Sequence, residues 1–554
     1  MQKLSLTLAI FIMGGCGIAY EYTLSKVSSD LLGNSVQQWA LVIAIMLFFM
    51  GVGAEVQQRL SDRHLISTLV LSQILLAFLG GLGPLFLITT FAWYPLHFSL
   101  VHYGLISVCG LLIGLEIPLI TRLNEAFSSS VSRNLGMVLR MDYAGALLGG
   151  LFWTFLLIPR LTISQTALTL GLITLLGTAI CLFAWRRQTR RFLLLLSLLL
   201  VTTFLCLWAL LRADAWTLHA EQSLYRDQII HSATSPYQRT VLTRSKNGTL
   251  RCYINGHLQF SSDDEHIYHE LLVHPAMALA ETPRDILILG GGDGLAAREV
   301  LKYPGVRSIT LVDLDPVVTE MARTDPALVS LNAGSLLSAK LRQRHLPQEP
   351  TGEVQAPPVP QNSLRYLPSG KDHTVGEVQL LHLDASRFIA EAADQRYDVA
   401  ILDFPDPSSP GLAKLYGLSF YGQLQQLLRP GGIILQQATS PWHARESFLC
   451  IGETMRAAGL SAVPLHANVP SFGDWGWWLA AQKEKRSEAR FQSDLDLITA
   501  FPVPTRYLSG ETFQAARVFA PGFLEISPDS PISITTLNDP AIFRYYARAW
   551  QDSQ

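Results

Sequence analysis

Five aspartates carry the chemistry this sequence can do. Asp293 lies inside Gly290-Gly-Gly-Asp-Gly294, Asp313 and Asp384 each close an apolar run, and Asp403 and Asp406 stand three apart in Asp403-Phe-Pro-Asp406-Pro407. A glycine-rich turn lets backbone N–H groups and a helix N-terminus approach a ligand closely. An acid at the end of the next strand, 20 residues after Asp293, can accept hydrogen bonds from ribose hydroxyls. Asp384 is placed to reach an adenine edge. A carboxylate within the glycine turn is wrong for a pyrophosphate and right for a cation. The ligand that fits is an adenosine without phosphates that carries a positive group, a sulfonium nucleoside. Asp403 and Asp406, on a loop stiffened by proline, can hold amino groups, and Tyr268 and His269 are available to face the same pocket. Taken singly, each aspartate is equally good as a helix cap or turn residue.

Those acids must be positioned by an α/β sheet. Strands are expected at 286–290, 308–313, 378–384, 398–403 and 432–437, the first a continuous apolar run of the kind buried parallel strands need. Helical segments alternate with them, the first at 295–303, so a doubly wound parallel sheet is predicted, with ligands at the carboxyl ends of its strands. Ahead of it, alternating runs broken at Asn247-Gly248 and Asn255-Gly256 predict a small β-meander. A helix is expected over 263–280. Residues 327–375, rich in Pro and Gln, are expected as a poorly ordered surface insertion.

The first 212 residues belong to another solvent. They hold 13 Lys and Arg and 7 Asp and Glu, which leaves 29 against 37 for residues 213–554. Seven apolar runs, at about 4–20, 36–55, 66–90, 97–120, 141–159, 162–185 and 192–211, have membrane-spanning length. A wholly soluble protein is excluded. So is a nucleic-acid binder driven by net charge, because the soluble part is acidic. Glu21, Glu116 and Asp142 lie in or beside the runs, as candidates for a cation path or as partners of Arg122 and Arg140. Gly145 and Gly149 are spaced to pack helices. Ten loop cations on one side against three on the other place the first side in the cytoplasm. Seven crossings then put residues after 212 outside, in conflict with a nucleoside made within cells. Either one run fails to cross, the glycine-broken run at 4–20 being the weakest, or the enzyme works outside. The six cysteines form no CxxC and no metal site is expected.

The fold class expected is therefore a multi-pass α-helical membrane domain followed by an α/β Rossmann-like domain of the SAM-methyltransferase type with a small N-terminal β-meander. The divisions are 1–212 for the membrane domain, 213–262 for a connector (213–227) and meander, 263–484 for the Rossmann-like domain, and 485–554 for a C-terminal extension.

Several motifs occur together and in order: Ser235-Pro-Tyr-Gln238, Gly256-His-Leu-Gln259, Tyr268-His-Glu-Leu-Leu-Val-His-Pro275, Gly290-Gly-Gly-Asp-Gly294 with Arg298-Glu-Val300, Asp403-x-x-Asp-Pro407 and Val469-Pro-Ser-Phe-Gly473. Over about 225–480 the chain resembles the spermidine synthase (polyamine aminopropyltransferase) family, and with its seven spans the bacterial membrane-anchored subgroup. The resemblance implies transfer of an aminopropyl group from decarboxylated S-adenosylmethionine to an amine such as putrescine, giving spermidine and methylthioadenosine, with no metal cofactor. It implies Asp403 as proton acceptor. Tyr268, His269, Asp293 and Asp406 are implied as substrate contacts. Gln238, Gln259, Gly290, Gly292, Asp313, Asp384, Ala385 and Pro410 are implied around the nucleoside. Asp313 stands where the family commonly has Glu, Ala385 where it has Gly, Phe404-Pro405 for a small polar pair, and Val469 where many members have Tyr. The last two put the acceptor amine in question more than the reaction.

Two other readings compete. A methyltransferase on the same sheet would bind the carboxylated cofactor, which Asp293 argues against. A polyamine transporter or sensor would bind without turnover. The expected partners are polyamine, sulfonium nucleoside, a lipid bilayer and further copies of the chain as a homodimer or homotetramer, with no nucleic acid. The expected location is the cell (inner) membrane.

Overall fold

The computed structural model describes residues 2–32, 35–127, 130–235, 237–337, 342–344, 377–392 and 394–551. It divides into two compact units, Met1–Ile229 and Ile230–Gln554.

The first unit is helical: α1 Gln2–Leu32, α2 Ser35–Val56, α3 Leu65–Trp93, α4 Pro95–Gly114, α5 Glu116–Asn124, α6 Val131–Phe152, α7 Ile163–Ala184 and α8 Phe192–Gln222. With α4 and α5 taken together, seven helices among the described residues are long and apolar enough to cross a membrane. The glycines of the 4–20 run do not break α1. They let α6 approach it: a Cβ on Gly145 would sit 2.0 Å from the Phe11 carbonyl oxygen, and one on Gly149 would sit 2.3 Å from that of Gly15. Close backbone contact through small residues is how helices pack in lipid. The α4–α5 break has a local cause, since Pro118 has no N–H to donate to the Gly114 carbonyl. The buried Glu116 accepts from Gln73 Nε2 at 2.7 Å. Its expected partner Arg122 is taken up elsewhere, by the Gln57 and Leu60 carbonyls and Asp62. Residues 213–222, expected as connector, continue α8.

The second unit opens with a four-stranded sheet in the order β1–β2–β3–β4: β1 Gln228–Thr234, β2 Arg239–Arg244, β3 Leu250–Ile254 and β4 His257–Ser261. Its β3–β4 turn is Asn255-Gly256, both at positive φ (50° and 83°), as a tight hairpin requires. The expected meander lacked β1, which has no turn signal in front of it.

An eight-stranded sheet follows. Its strands are β5 Asp285–Gly290, β6 Ser308–Asp313, β7 Arg342–Arg344, β8 Glu377–His382, β9 Tyr397–Asp403, β10 Leu428–Gln437, β11 Leu460–Val469 and β12 Gly473–Gln482, in the order β11–β12–β10–β9–β5–β6–β8–β7. The sheet is mixed, which corrects the all-parallel expectation. The strands from β10 to β7 in that order are parallel, but β12 runs antiparallel to β10, and β11 to β12. The sequence reading treated 460–482 only as the site of the Val469-Pro-Ser-Phe-Gly473 motif, and that motif is the β11–β12 turn. Side chains alternate across the sheet. Ile286 and Ile288 enter one core layer, and Leu287 and Leu289 the other. From β5 the chain steps one way to β6, β8 and β7, then returns to the other side of β5 as β9. That reversal opens a crevice at the carboxyl ends of β5 and β9, where open α/β sheets bind ligands.

The helices that frame the crevice are α9 Glu265–Leu279, α10 Leu295–Val300, α11 Pro316–Thr324, α12 Pro326–Leu331, α13 Ala385–Glu391 and α14 Pro410–Ala413. Residues 327–337 are ordered and buttress the site, against the expectation of a surface insertion from 327. Apart from 342–344, residues 338–376 lie outside the described residues.

Candidate active site

The crevice gathers most of the acids singled out from sequence. Gly290 pairs with Asp403 in register, so the glycine turn and the end of β9 lie at one level. Gly290 has φ +82°, and a Cβ there would lie 2.0 Å from the Asp403 carbonyl oxygen. No other residue fits that contact. Tyr268, on α9, donates its hydroxyl to Asp403 Oδ1 at 2.7 Å. Its ring is wedged beside Trp477, with centroids 5.6 Å apart. Asp293 accepts from the Leu295 N–H at 2.8 Å, while Asn332 Nδ2 donates to its carbonyl and Ser335 Oγ to that of Gly294. Ligand atoms of His269, Asp293 and Asp403 all lie within 4.8 Å of one another.

That geometry would suit a metal as well as an amine, and the histidine decides between them. Burial alone would pull the His269 imidazole down, but Glu265, which accepts from Nδ1 at 2.9 Å, holds it up at about 9. It is an imidazolium at neutral pH, with no lone pair to offer a metal. The same charge offsets that of the neighbouring acids, and His269 stands within reach of both Asp293 and Asp403, where it was expected. Glu265 also takes Arg298 through both oxygens, at 2.8 and 2.9 Å. Breaking such a buried pair costs about 3–5 kcal/mol. Burial raises Asp293 and Asp403 above the usual carboxylate range. It pushes Asp313 up to about 7 and Asp406 up to about 6. Acids held this way gain from an incoming cation.

Asp313 accepts from the Gly292 N–H at 2.9 Å and from that of Asp315 at 2.8 Å. A Cβ on Gly292 would meet Asp313 Oδ2 at 2.6 Å. Gln238 binds Asp315 together with Ser235, whose Oγ donates to it at 2.8 Å. Asp315 was not singled out from sequence, although it both caps α11 and joins this loop to Asp313. Asp384 caps α13 through the Ser386 N–H and pairs with Lys414 at 2.7 Å. Ala385 is the buried first residue of α13, and Pro410 is the first residue of α14, behind the Ser409 cap. The Gln259 amide turns back to the carbonyl of His257 in its own strand, at 3.2 Å, and among the described residues no hydrogen bond joins it to the acid cluster.

Sequence reasoning missed one feature altogether. Asp406 Oδ2 accepts from Tyr546 at 3.0 Å and from Thr439 Oγ1 at 3.3 Å, while its Oδ1 is buried without a partner. Tyr546 lies on the C-terminal helix Ala541–Gln551, inside the segment expected as a mere extension. Thr439 holds φ +58°, a costly conformation for a β-branched residue and one that concentrates at functional sites. Two donors thus fix Asp406 with one oxygen free. Tyr546→Phe should raise the KM for the acceptor amine about tenfold, as loss of a hydrogen bond to a charged group implies, with the KM for the nucleoside unchanged. Steady-state kinetics with each substrate varied would show it, and an unchanged acceptor KM would rule out this role.

A pH dependence follows from the same acids. Once protonated, Asp406 cannot hold an ammonium and Asp403 cannot take a proton. The kcat/KM for the amine should therefore fall as pH drops through about 6. A profile flat down to about pH 5 would contradict this.

The family model for the spermine/spermidine synthase domain matches residues 265–335 and 361–493. The chain is 34% identical to the polyamine aminopropyltransferase of Oceanobacillus iheyensis, over 98% of this chain and 96% of that protein. It is 37% identical to polyamine aminopropyltransferase 1 of Streptomyces coelicolor, over 99% and 94%. Among solved structures it is similar to a spermidine synthase in complex with the transition state analogue AdoDATO, with a TM-score of 0.42 and 20% identity over 53% of this chain and 86% of that one.

Proposed function

Since the chain belongs to the spermine/spermidine synthase (polyamine aminopropyltransferase) family, we propose that it moves the aminopropyl group of decarboxylated S-adenosylmethionine to putrescine, giving spermidine and methylthioadenosine. The observation that carries this reading is the Tyr268–Asp403 hydrogen bond beside Asp293, at the point where the strand order reverses. An alkylammonium, with a solution pKa near ~10, cannot attack until it loses a proton. Asp403, steadied by Tyr268, takes that proton. The freed nitrogen forms a bond to the aminopropyl carbon as that carbon's bond to sulfur breaks. The electron pair leaves with sulfur, so the sulfonium becomes the neutral thioether of methylthioadenosine. Asp293 receives the donor's amino group, Asp313 the ribose hydroxyls, and the free oxygen of Asp406 the far ammonium of the acceptor. Holding both reactants in line can supply on the order of 7–11 kcal/mol of the barrier.

The proposal extends to the membrane. The seven helices act as spans of a multi-pass protein in the cell membrane, supported by their length and composition and by the one-sided loop cations. Incubating the purified full-length protein with decarboxylated S-adenosylmethionine and putrescine tests the reaction. Spermidine should appear by mass spectrometry, and unchanged putrescine would end the acceptor assignment. Alkaline washing of cell membranes tests the spans, since a protein released by the wash does not cross the bilayer.

A further inference from the structure

The helical unit holds a cavity of about 400 Å³ that the transfer chemistry does not use. Three cations line it, Lys3, Arg133 and Arg140, and among the described lining residues there is no carboxylate. Arg133, Met137 and Arg140 follow one another at spacings of four and three on a single face of α6. Lys3 comes from the first turn of α1. The first turn of α6, capped by Ser130 through the Arg133 N–H at 3.3 Å, borders the cavity and adds the positive end of a 22-residue helix. Two buried asparagines are also in the lining and are locked in place. Asn124 Nδ2 donates to Asn134 Oδ1 at 2.6 Å, and Asn134 Nδ2 donates to the Thr121 carbonyl at 2.8 Å. That leaves Asn124 Oδ1 buried with no hydrogen-bond donor among the described residues. The site thus offers positive charge together with one unused acceptor. Its ligand should carry an anion and, close to it, a hydroxyl.

We propose that this cavity binds a phosphate group bearing a neighbouring hydroxyl, the chemistry of an acidic glycerophospholipid headgroup and also of free glycerol 3-phosphate. The lipid form rests on the membrane reading above. Lys3, Asn124 and Arg133 stand at the ends of their candidate spans, Gln2–Leu32, Pro95–Asn124 and Val131–Leu157. All three cations are on the side with the excess of loop cations, the side that faces the more anionic leaflet.

The test uses full-length protein in nanodiscs of phosphatidylcholine doped with phosphatidylglycerol, with retained lipid measured by native mass spectrometry. Wild type should retain phosphatidylglycerol in preference to phosphatidylcholine. Arg133→Gln combined with Arg140→Gln should lower that preference roughly thirtyfold, from a contribution per cation of about 1 kcal/mol. Gly136→Leu gives a variant that keeps every charge. Gly136 lines the cavity, and a Cβ there meets nothing within 4 Å, so the larger side chain should exclude the lipid sterically on an intact helix. Aminopropyl transfer should be unchanged in both variants. Equal retention of the two lipids by wild type, or a preference that survives both variants, would overturn the proposal. In a second arm, glycerol 3-phosphate is titrated into detergent-solubilised protein. Binding there, lost in the same variants and unaccompanied by lipid enrichment, would support the anion site and assign it to the free ligand. Protein that never enters nanodiscs refutes the membrane reading instead, and this arm still tests the cavity.

Discussion

Asp403→Asn is expected to lower aminopropyl transfer by about 10²–10⁴-fold, the contribution of one positioned proton acceptor. The substitution keeps the shape of the side chain. Tyr268 can still donate to the remaining oxygen, and the backbone contact between Asp403 and Gly290 is untouched. What disappears is the lone-pair basicity proposed to take the amine proton. Affinity for the donor nucleoside should change little, because the contacts proposed for that ligand, Asp313 and the glycine turn, do not include the Asp403 carboxylate. Rates of methylthioadenosine release, set beside calorimetric binding of the nucleoside, separate these effects. A variant that keeps more than about a tenth of the wild-type rate would show that the base lies elsewhere.

Asp293→Ala should weaken binding of decarboxylated S-adenosylmethionine by about 30-fold or more, since removing one partner of a buried charge pair costs about 2–5 kcal/mol. It should also narrow the preference for that donor over S-adenosylmethionine. The carboxylate is held rigidly by the Leu295 N–H and buried near Asp403. In the proposed role it would attract an amino group and repel the carboxylate that the ordinary nucleoside carries. Competition between the two nucleosides measures the selectivity. If it stays as in wild type, the glycine turn does not read the donor's amine. A melting curve guards against misfolding, because Asp293 is flanked by the positive-φ Gly294 (81°).

Much of this was legible in the sequence, for identifiable reasons. Strands β5, β6 and β9 are buried on both faces, so each reads as a largely apolar run ending at a turn. Those ends placed Asp313 and Asp403 correctly. The antiparallel pair β11 and β12 escaped because 460–482 carries Pro464, three Trp and several Ala in place of a β-branched run. Motifs located residues better than roles. In Tyr268-His-Glu-Leu-Leu-Val-His-Pro275, Tyr268 faces Asp403 and His269 faces Glu265. Glu270 anchors the backbone of 506–508, and His274 pairs with Glu299. Nothing local in the sequence announced that His269 would pair with the glutamate four residues earlier. Tyr546 was invisible for another reason: it reaches Asp406 across 140 residues, from a helix with no motif of its own.

The account stands or falls on whether the acid pocket transfers an aminopropyl group. The most direct measurement is the stoichiometry of a single turnover, with full-length enzyme in excess over decarboxylated S-adenosylmethionine and putrescine saturating. One methylthioadenosine and one spermidine should form for each donor consumed, at a rate that falls as pH drops through about 6, where burial places Asp406. Donor and putrescine bound but both recovered unchanged, or methylated amine formed together with a decarboxylated S-adenosylhomocysteine, would contradict it.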